Sequence, residues 1–241
     1  MQYHETYKKY GDEQYLVNMV LIDDIIRFGC SIGLNGSSRV LDLCCGYGTM
    51  LKVWNEVFNI GGKGVDINSS FIENGLSRLT SSRINLICGD VLKYEDCEKY
   101  DVVVCTELST GLFNNFSEGI IFLKRFLKPN GMIVFGKLFS EVENPPQELI
   151  DFDGSLPTLG EIYDEIRQLG YLITSMASGS DASWERYIMR ESKQLLTRLR
   201  KAPQDESLLE WTNKWHKIYY NFRRPCENWA LFGIENCKAK D

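Results

Sequence analysis

The sequence predicts an α/β fold built on a doubly wound, mostly parallel sheet of seven strands. Short apolar runs alternate with helical segments five times along the first half of the chain, and two further strands follow. Several of the apolar runs end in an aspartate or a glycine turn, and 44% of the 241 residues are hydrophobic, enough for a sizeable core. Ligands of such sheets bind beyond the carboxyl ends of the strands, where these aspartates are expected.

The first predicted element is a buried amphipathic helix over residues 13–33, because apolar side chains recur there with helical spacing. A loop of Gly, Asn and Ser follows, and then the alternation of strands and helices begins. Lys128-Pro-Asn-Gly131 predicts a turn, because proline fixes φ and glycine tolerates positive φ. The predicted strands are 39–43, 65–67, 84–88, 101–105 and 132–135, with helices at 49–58, 69–80 and 117–127.

After a proline-bearing loop, Thr158 and Glu161 predict a capping box at the start of a helix that ends at Gly170. Strand six is predicted at 171–176 and strand seven at 229–234, with an inserted pair of helices near 182–200 and 204–224. We expect a single domain whose parts are an N-terminal helical lid (1–34), a cofactor-binding core (35–180), a helical cap (181–225) and the last strand (226–241).

Composition excludes several classes of partner. The net charge of −6 disfavours a protein that binds nucleic acid, since such proteins usually carry a basic face. The eight cysteines form no C-x-x-C pair, so no metal site is expected, and reduced thiols suit a cytoplasmic location. No run approaches the roughly 18 apolar residues of a membrane-spanning helix, so no membrane partner is expected.

The sharpest motif is the glycine turn that follows the first strand. Gly46 and Gly48 allow the backbone to approach a ligand closely. Asp42 stands four residues before Gly46, where its carboxylate suits a cationic amino group and would repel a pyrophosphate. Leu51 replaces the third glycine of the dinucleotide-binding fingerprint. Both features argue against a nucleotide-dependent oxidoreductase, which remains an alternative.

Two more aspartates end the next two strands. Asp66 lies 20 residues after Gly46, where a carboxylate can accept hydrogen bonds from both hydroxyls of a ribose. Asp90 ends strand three, where it can accept a hydrogen bond from an adenine amino group. A single strand-end aspartate is unremarkable in a turn. Three of them beside a glycine turn predict one adenosyl-binding site.

These motifs, in this order over roughly residues 35–180, resemble the class I S-adenosylmethionine (SAM)-dependent methyltransferases. The resembling segments are Asp42-Leu-Cys-Cys-Gly46-Tyr-Gly48, Gly64-Val-Asp66-Ile67, Cys88-Gly-Asp90-Val91, Asp101-Val-Val-Val-Cys-Thr106-Glu107 and Leu127-Lys-Pro-Asn-Gly131. In addition, Ser183-Trp-Glu-Arg-Tyr187 and Trp229-Ala-Leu-Phe232 resemble segments of poorly characterised bacterial small-molecule methyltransferases.

The resemblance implies a Rossmann-like fold, SAM as cofactor and a role for each motif. Asp66 would hold the ribose and Asp90 the adenine amino group, with Ile67 and Val91 on the two faces of the ring. Cys44 stands where the family usually has its first glycine, so its backbone would line the loop. Around the methionine part the motifs place Asp42, Gly46, Gly48 and Thr106, and Thr49 is a further candidate cofactor contact.

The acceptor side is less defined. Methyl transfer from a sulfonium needs mainly alignment of the nucleophile, and a base only if the acceptor is protonated. Glu107, just past strand four, is the candidate contact or base, against the alternative of a solvated loop glutamate. Trp184, Arg186 and Tyr187 on the helical pair are candidate substrate contacts, against the alternative that the pair only packs on the domain.

The sequence therefore predicts a SAM-dependent methyltransferase that acts on a small molecule. Acidic charge, modest length and the aromatic helical insertion favour a small-molecule acceptor over RNA or protein. A non-enzymatic alternative is a SAM-binding sensor or interaction module without transfer activity.

Overall fold

The computed structural model describes residues 13–106, 112–113 and 116–237. Its centre is a seven-stranded sheet. The strands are β1 (Arg39–Leu43), β2 (Gly61–Asp66), β3 (Ile84–Cys88), β4 (Tyr100–Cys105), β5 (Leu127–Ser140), β6 (Tyr171–Ser178) and β7 (Glu227–Asn236). The α-helices are α1 (Ile22–Ser31), α2 (Thr49–Phe58), α3 (Ser69–Arg78), α4 (Phe116–Lys124), α5 (Gln147–Asp153), α6 (Leu159–Gln168), α7 (Asp181–Lys201), α8 (Glu206–Ile218) and α9 (Arg224–Cys226).

The strand order is β3-β2-β1-β4-β5-β7-β6, and it confirms the predicted doubly wound, mostly parallel sheet. β1 pairs in parallel with β2 on one side and with β4 on the other, so the order reverses at β1. β7 lies antiparallel between β5 and β6. Because open α/β sheets bind ligands where the strand order reverses, this topology places a site beyond the carboxyl ends of β1 and its neighbours.

The sheet separates two apolar cores. Successive residues of β1 alternate between them, so that Val40 packs in one and Leu41 in the other, as expected for a strand buried on both faces. The first core also takes in Trp184 and Ile188 of α7 and Trp215 of α8. The helical pair between β6 and β7 therefore packs on the same face of the sheet as α1 and α2.

Several segments differ from their prediction, and β2, for example, begins at Gly61 instead of at Val65. The predicted helix 13–33 begins only at Ile22, because carbonyls of the preceding residues accept hydrogen bonds from Arg186 instead of helical N–H groups. The predicted turn at Lys128-Pro-Asn-Gly131 lies inside β5, next to a register shift against β4, and Asn130 takes the positive φ of 62°. The proline-bearing loop contains α5, which the sequence did not predict.

Other local signals hold. The capping box is formed, because Thr158 Oγ1 accepts from the Glu161 N–H at 3.3 Å and Glu161 accepts from the Thr158 N–H at 2.7 Å. Gly170 ends α6 with a φ of 83°. In the part of the chain that the structure describes, no helix combines the length and apolarity that a membrane span requires.

Candidate cofactor site

A cavity of about 300 Å³ lies at the carboxyl ends of β1, β2, β3 and β4. Its volume falls at the lower end of the roughly 300–1,000 Å³ typical of small-molecule sites. Its wall is Tyr15, Leu16, Val17, Asn18, Asp42, Cys44, Cys45, Gly46, Thr49, Met50, Asp66, Ile67, Phe71, Asp90, Val91, Thr106 and Leu112. The structure thus brings the three strand-end aspartates to one cavity, as the sequence predicted.

The turn after β1 consists largely of left-handed backbone. Cys44, Gly46 and Gly48 have φ values of 63°, 56° and 66°. A Cβ on Gly48 would lie 2.7 Å from Leu86 Cδ2, so this position needs glycine for its space as well as for its φ. Gly48 shapes the turn without lining the cavity. Cys44 keeps a side chain in a conformation that costs most residues about 1–2 kcal/mol.

Asp66 ties the glycine turn to the end of β2. One carboxylate oxygen accepts from the Gly46 N–H at 2.8 Å, and the other accepts from the Asn68 N–H at 2.9 Å. Each carboxylate oxygen can accept a second hydrogen bond. The carboxylate is therefore fixed in place while capacity remains for two ligand hydroxyls.

Asp42 is the least expected group in the cavity wall. Its residue is 2% exposed, and no donor among the described residues reaches its Oδ1 atom. Burial raises the pKa of this carboxyl well above its ordinary range, and the negative charge of Asp66 raises it further. A buried, unpaired carboxylate is costly, so the protein gains when a ligand brings a cation to it. This orphaned oxygen fits the amino group of a methionine moiety.

The adenine side combines a polar and an apolar surface. Asp90 caps the 3-10 turn Val91–Lys93 by accepting from the Leu92 N–H at 3.0 Å, and Lys93 Nζ lies 3.5 Å from its other oxygen. Ile67 is 74% exposed at the cavity, an unusual exposure for isoleucine. An exposed apolar side chain beside a partly exposed carboxylate suits the face and the amino edge of a purine ring.

One wall of the cavity comes from the segment predicted as part of an N-terminal helical lid, but the residues that line the cavity are not helical. Residues 13–20, called the strap below, run in turns and bends before α1, and residues 15–18 line the cavity. The Tyr15 ring packs edge-on against Tyr47, with centroids 5.3 Å apart, and the Arg78 guanidinium lies 3.5 Å over it. Thr49 donates from Oγ1 to the Tyr15 carbonyl at 2.9 Å, so its hydroxyl holds the strap. Asn18, a polar residue within an apolar segment, was the available signal.

The predicted acceptor residues have different outcomes. Thr106 follows β4 and lines the cavity, whereas Glu107 lies outside the described residues. Trp184 is buried in the core, and its Nε1 donates to Asn228 Oδ1 at 3.0 Å. The Arg186 guanidinium donates to backbone carbonyls of the strap. Tyr187 is partly buried against the core.

The role of Trp184, Arg186 and Tyr187 as substrate contacts stays a prediction. None of them lines the cavity, and the indole N–H of Trp184 and both terminal nitrogens of the Arg186 guanidinium already donate to protein atoms. The sequence placed them by their aromatic and basic character, which does not distinguish a pocket wall from a packing face. Across the described ranges, no set of three or more His, Cys, Asp or Glu side chains is arranged to hold a metal ion.

Comparison with known proteins agrees with this geometry. Residues 40–131, which run from β1 to the start of β5, match the family model described as a methyltransferase domain. This segment contains the glycine turn and all three cavity aspartates. The seven-stranded sheet has the Rossmann-like fold of the class I methyltransferases.

Relatives are similar over nearly the whole chain. YjhP of Escherichia coli (strain K12) is 25% identical over 96% of this chain and 94% of its own length. A SAM-dependent methyltransferase from Thiobacillus denitrificans, solved with S-adenosyl-L-homocysteine (SAH), superposes with a TM-score of 0.85 at 24% identity, over 92% of this chain and 94% of that one. A SAM-dependent methyltransferase from Geobacter sulfurreducens, also with SAH, gives 0.83 at 24% identity, over 91% and 93%. At these identities the structures establish the shared fold.

Proposed function

We propose that the chain transfers a methyl group from SAM to a small molecule and that the cavity beside the glycine turn binds the cofactor. Asp42 pairs with the amino group of the methionine part. Asp66 accepts from the ribose hydroxyls, and Asp90 accepts from the adenine amino group. The observation that carries the proposal is the buried, unpaired Asp42 oxygen in the same cavity as Asp66 and Asp90.

The cofactor brings a methyl group on a positively charged sulfur, already activated for displacement. The chain's own residues contribute binding and alignment, which account for much of the rate when the leaving group needs no further activation. Residues 15–18 and the apolar side chains of the cavity exclude water around the bound ligand. Ile67 and Val91 fix the plane of the purine ring. In this proposal residues 35–180 form the cofactor-binding core, and the helical cap, residues 181–225, supports the strap.

The acceptor is proposed to bind beyond β4. Thr106 lies at the cavity edge of that strand, and Glu107 comes next in the sequence. Glu107 is the proposed acceptor contact, and it acts as base where the acceptor loses a proton. The acidic net charge and the modest cavity favour a small acceptor over a polyanion.

The proposal is tested by calorimetry of SAH binding to wild type and to Asp66→Ala. The substitution removes two ribose hydrogen bonds to a charged acceptor, about 1.5–3 kcal/mol each, so we expect affinity to fall by at least about 100-fold. Asp164→Ala, an equal charge change on the exposed face of α6, should leave the affinity unchanged. Unchanged binding in Asp66→Ala, or no binding by wild type, would reject the cofactor site. Transfer itself is measured with methyl-labelled SAM and a small-molecule extract.

A further inference from the structure

After its first residue, which is helical, the strap forms a wall of the cavity without being a helix or a strand. Its backbone therefore needs partners other than those of regular secondary structure. A segment without the regular backbone hydrogen bonds of a helix or a sheet is positioned by the groups that bind its carbonyls. In this protein one side chain that is distant in the sequence, Arg186, binds several of these carbonyls.

Arg186 of α7 donates to four carbonyls of the strap. Nη1 donates to Glu13 at 3.0 Å and to Leu16 at 2.9 Å. Nη2 donates to Val20 at 3.2 Å and also to the carbonyl of Asn18. The planar fork of a guanidinium suits such a set of acceptors, and a lysine ammonium has neither the number of donors nor the span.

One strap residue whose carbonyl Arg186 binds also faces the cavity. Asn18 is 8% exposed and lines the cavity, and no donor within the described ranges reaches its Oδ1 atom. The cavity wall thus contains two buried oxygens with unmet bonding capacity, one on Asn18 and one on Asp42. Buried polar atoms are normally hydrogen-bonded, so both point to a donor supplied by a ligand.

We propose that Arg186 is a positioning residue for cofactor binding, which holds the strap so that the Asn18 side chain contacts the amino-acid part of SAM. The inference rests on the proposed function, because it takes the ligand of the cavity to be SAM. It adds a cofactor contact, Asn18, outside the glycine turn and the three strand ends. It also makes cofactor affinity depend on α7, a helix that does not line the cavity.

The first test compares two buried arginines. Arg186→Lys removes the fork from the strap, whereas Arg223→Lys disturbs a different buried cluster, in which Arg223 pairs with Asp153 and Glu227. Both variants should lower the melting temperature. We expect only Arg186→Lys to weaken SAH binding by tenfold or more, with Arg223→Lys staying within threefold of wild type. Equal SAH affinities in the two variants would overturn the proposal.

Asn18→Ala separates the side chain from the strap backbone, because the carbonyl that Arg186 binds is retained. SAH affinity should fall about tenfold while the melting temperature without ligand stays close to that of wild type. Wild-type affinity in Asn18→Ala would overturn the contact.

A third measurement covers the case in which Arg186→Lys fails to fold. Hydrogen–deuterium exchange of wild type should slow in residues 13–20 when SAH is added, and much less so in Asn18→Ala. No change in the strap of wild type would reject the inference. Failure of the proposed function is distinguishable, because wild type would then bind no SAH at all. Binding that is lost in Asp66→Ala but unchanged in Arg186→Lys and Asn18→Ala would reject this inference alone.

Discussion

Two groups of carboxylates lie at opposite ends of the same parallel strands, and they differ in their partners. The amino-end cluster is centred on Asp96, just before β4. One oxygen of Asp96 accepts from Lys63 Nζ at 2.7 Å, from the Tyr94 hydroxyl at 2.7 Å and from the Tyr100 hydroxyl at 2.6 Å. Glu98 also pairs with Lys63, at 3.3 Å. Burial works to raise the pKa of Asp96, but the hydrogen bonds from Lys63, Tyr100 and Tyr94 outweigh it and hold the pKa well below its ordinary value.

The cavity cluster at the carboxyl ends contains Asp42, Asp66 and Asp90. Burial acts on Asp42 in the same direction, but in the described part of the chain no donor offsets it at Oδ1, and the neighbouring charge of Asp66 adds to it. The difference shows that burial alone does not mark a functional acid. A carboxylate with its donors present serves the fold, whereas the unmet oxygen of Asp42 supports our proposal that this residue pairs with a ligand.

The largest expected effect of this contrast is on stability. Asp96→Asn breaks a paired, partly buried carboxylate and should lower the free energy of unfolding by about 2 kcal/mol at pH 7. Asp42→Asn removes an unpaired buried charge of the same chemistry. Its free energy of unfolding should stay the same or rise, because a carboxyl whose folded pKa is raised destabilises the fold above its ordinary pKa of 3.8.

Urea denaturation of both variants without ligand measures the two effects. Calorimetry on the same samples should show that Asp42→Asn binds SAH at least tenfold more weakly, while folded Asp96→Asn binds it as wild type does. A loss of stability in Asp42→Asn as large as that in Asp96→Asn would mean that the cavity carboxylate is structural too.

Local signals explain which parts of the structure can be predicted from the sequence. β1, α2 and β3 were predicted at their observed bounds, because apolar runs, a glycine turn and a cluster of turn residues are local signals. The three cavity aspartates were predictable for the same reason, since parallel strands bring their carboxyl ends to one edge. Fold and cofactor cavity were therefore largely readable from order and spacing.

The conformation of the strap, and the hydrogen bonds by which Arg186 holds it, could not be predicted from such local signals. Arg186 meets the strap across separations of 166 to 173 residues, and no periodicity reports such a contact. The apolar spacing of residues 13–33 favoured a helix over the whole segment, but tertiary hydrogen bonds override that preference before Ile22. The guanidinium of Arg186 would also suit an anion. Only its neighbours in the structure identify it as a support for the strap backbone.

A further prediction concerns the pH dependence of SAH binding. In the free protein the raised pKa of Asp42 favours its protonated form at mildly acidic pH, and pairing with a ligand amino group requires its ionised form. SAH affinity should therefore rise with pH until the raised pKa of free Asp42 is passed, by about tenfold for each unit of difference between free and bound pKa.

Calorimetry of SAH binding across this window provides the measurement, at pH values where wild type remains folded. The matched control is Asp42→Asn, whose weaker binding should vary much less with pH because the titrating group is gone. An unchanged pH profile in this variant would assign the proton to another group and remove the ionised Asp42 from the binding step.

The smallest expected effect is that of Cys44→Gly. Cys44 holds the left-handed φ of 63° that glycine adopts without strain, so the substitution relieves about 1 kcal/mol in the folded state. Glycine also raises the entropy of the unfolded chain by a similar amount, so the free energy of unfolding should change by less than about 1 kcal/mol. If Cys44 contributes only its backbone to the cavity, SAH affinity should stay within threefold of wild type. A tenfold loss would instead show that the thiol contacts the cofactor. The cavity cluster would then contain four polar side chains, Cys44 in addition to the three aspartates.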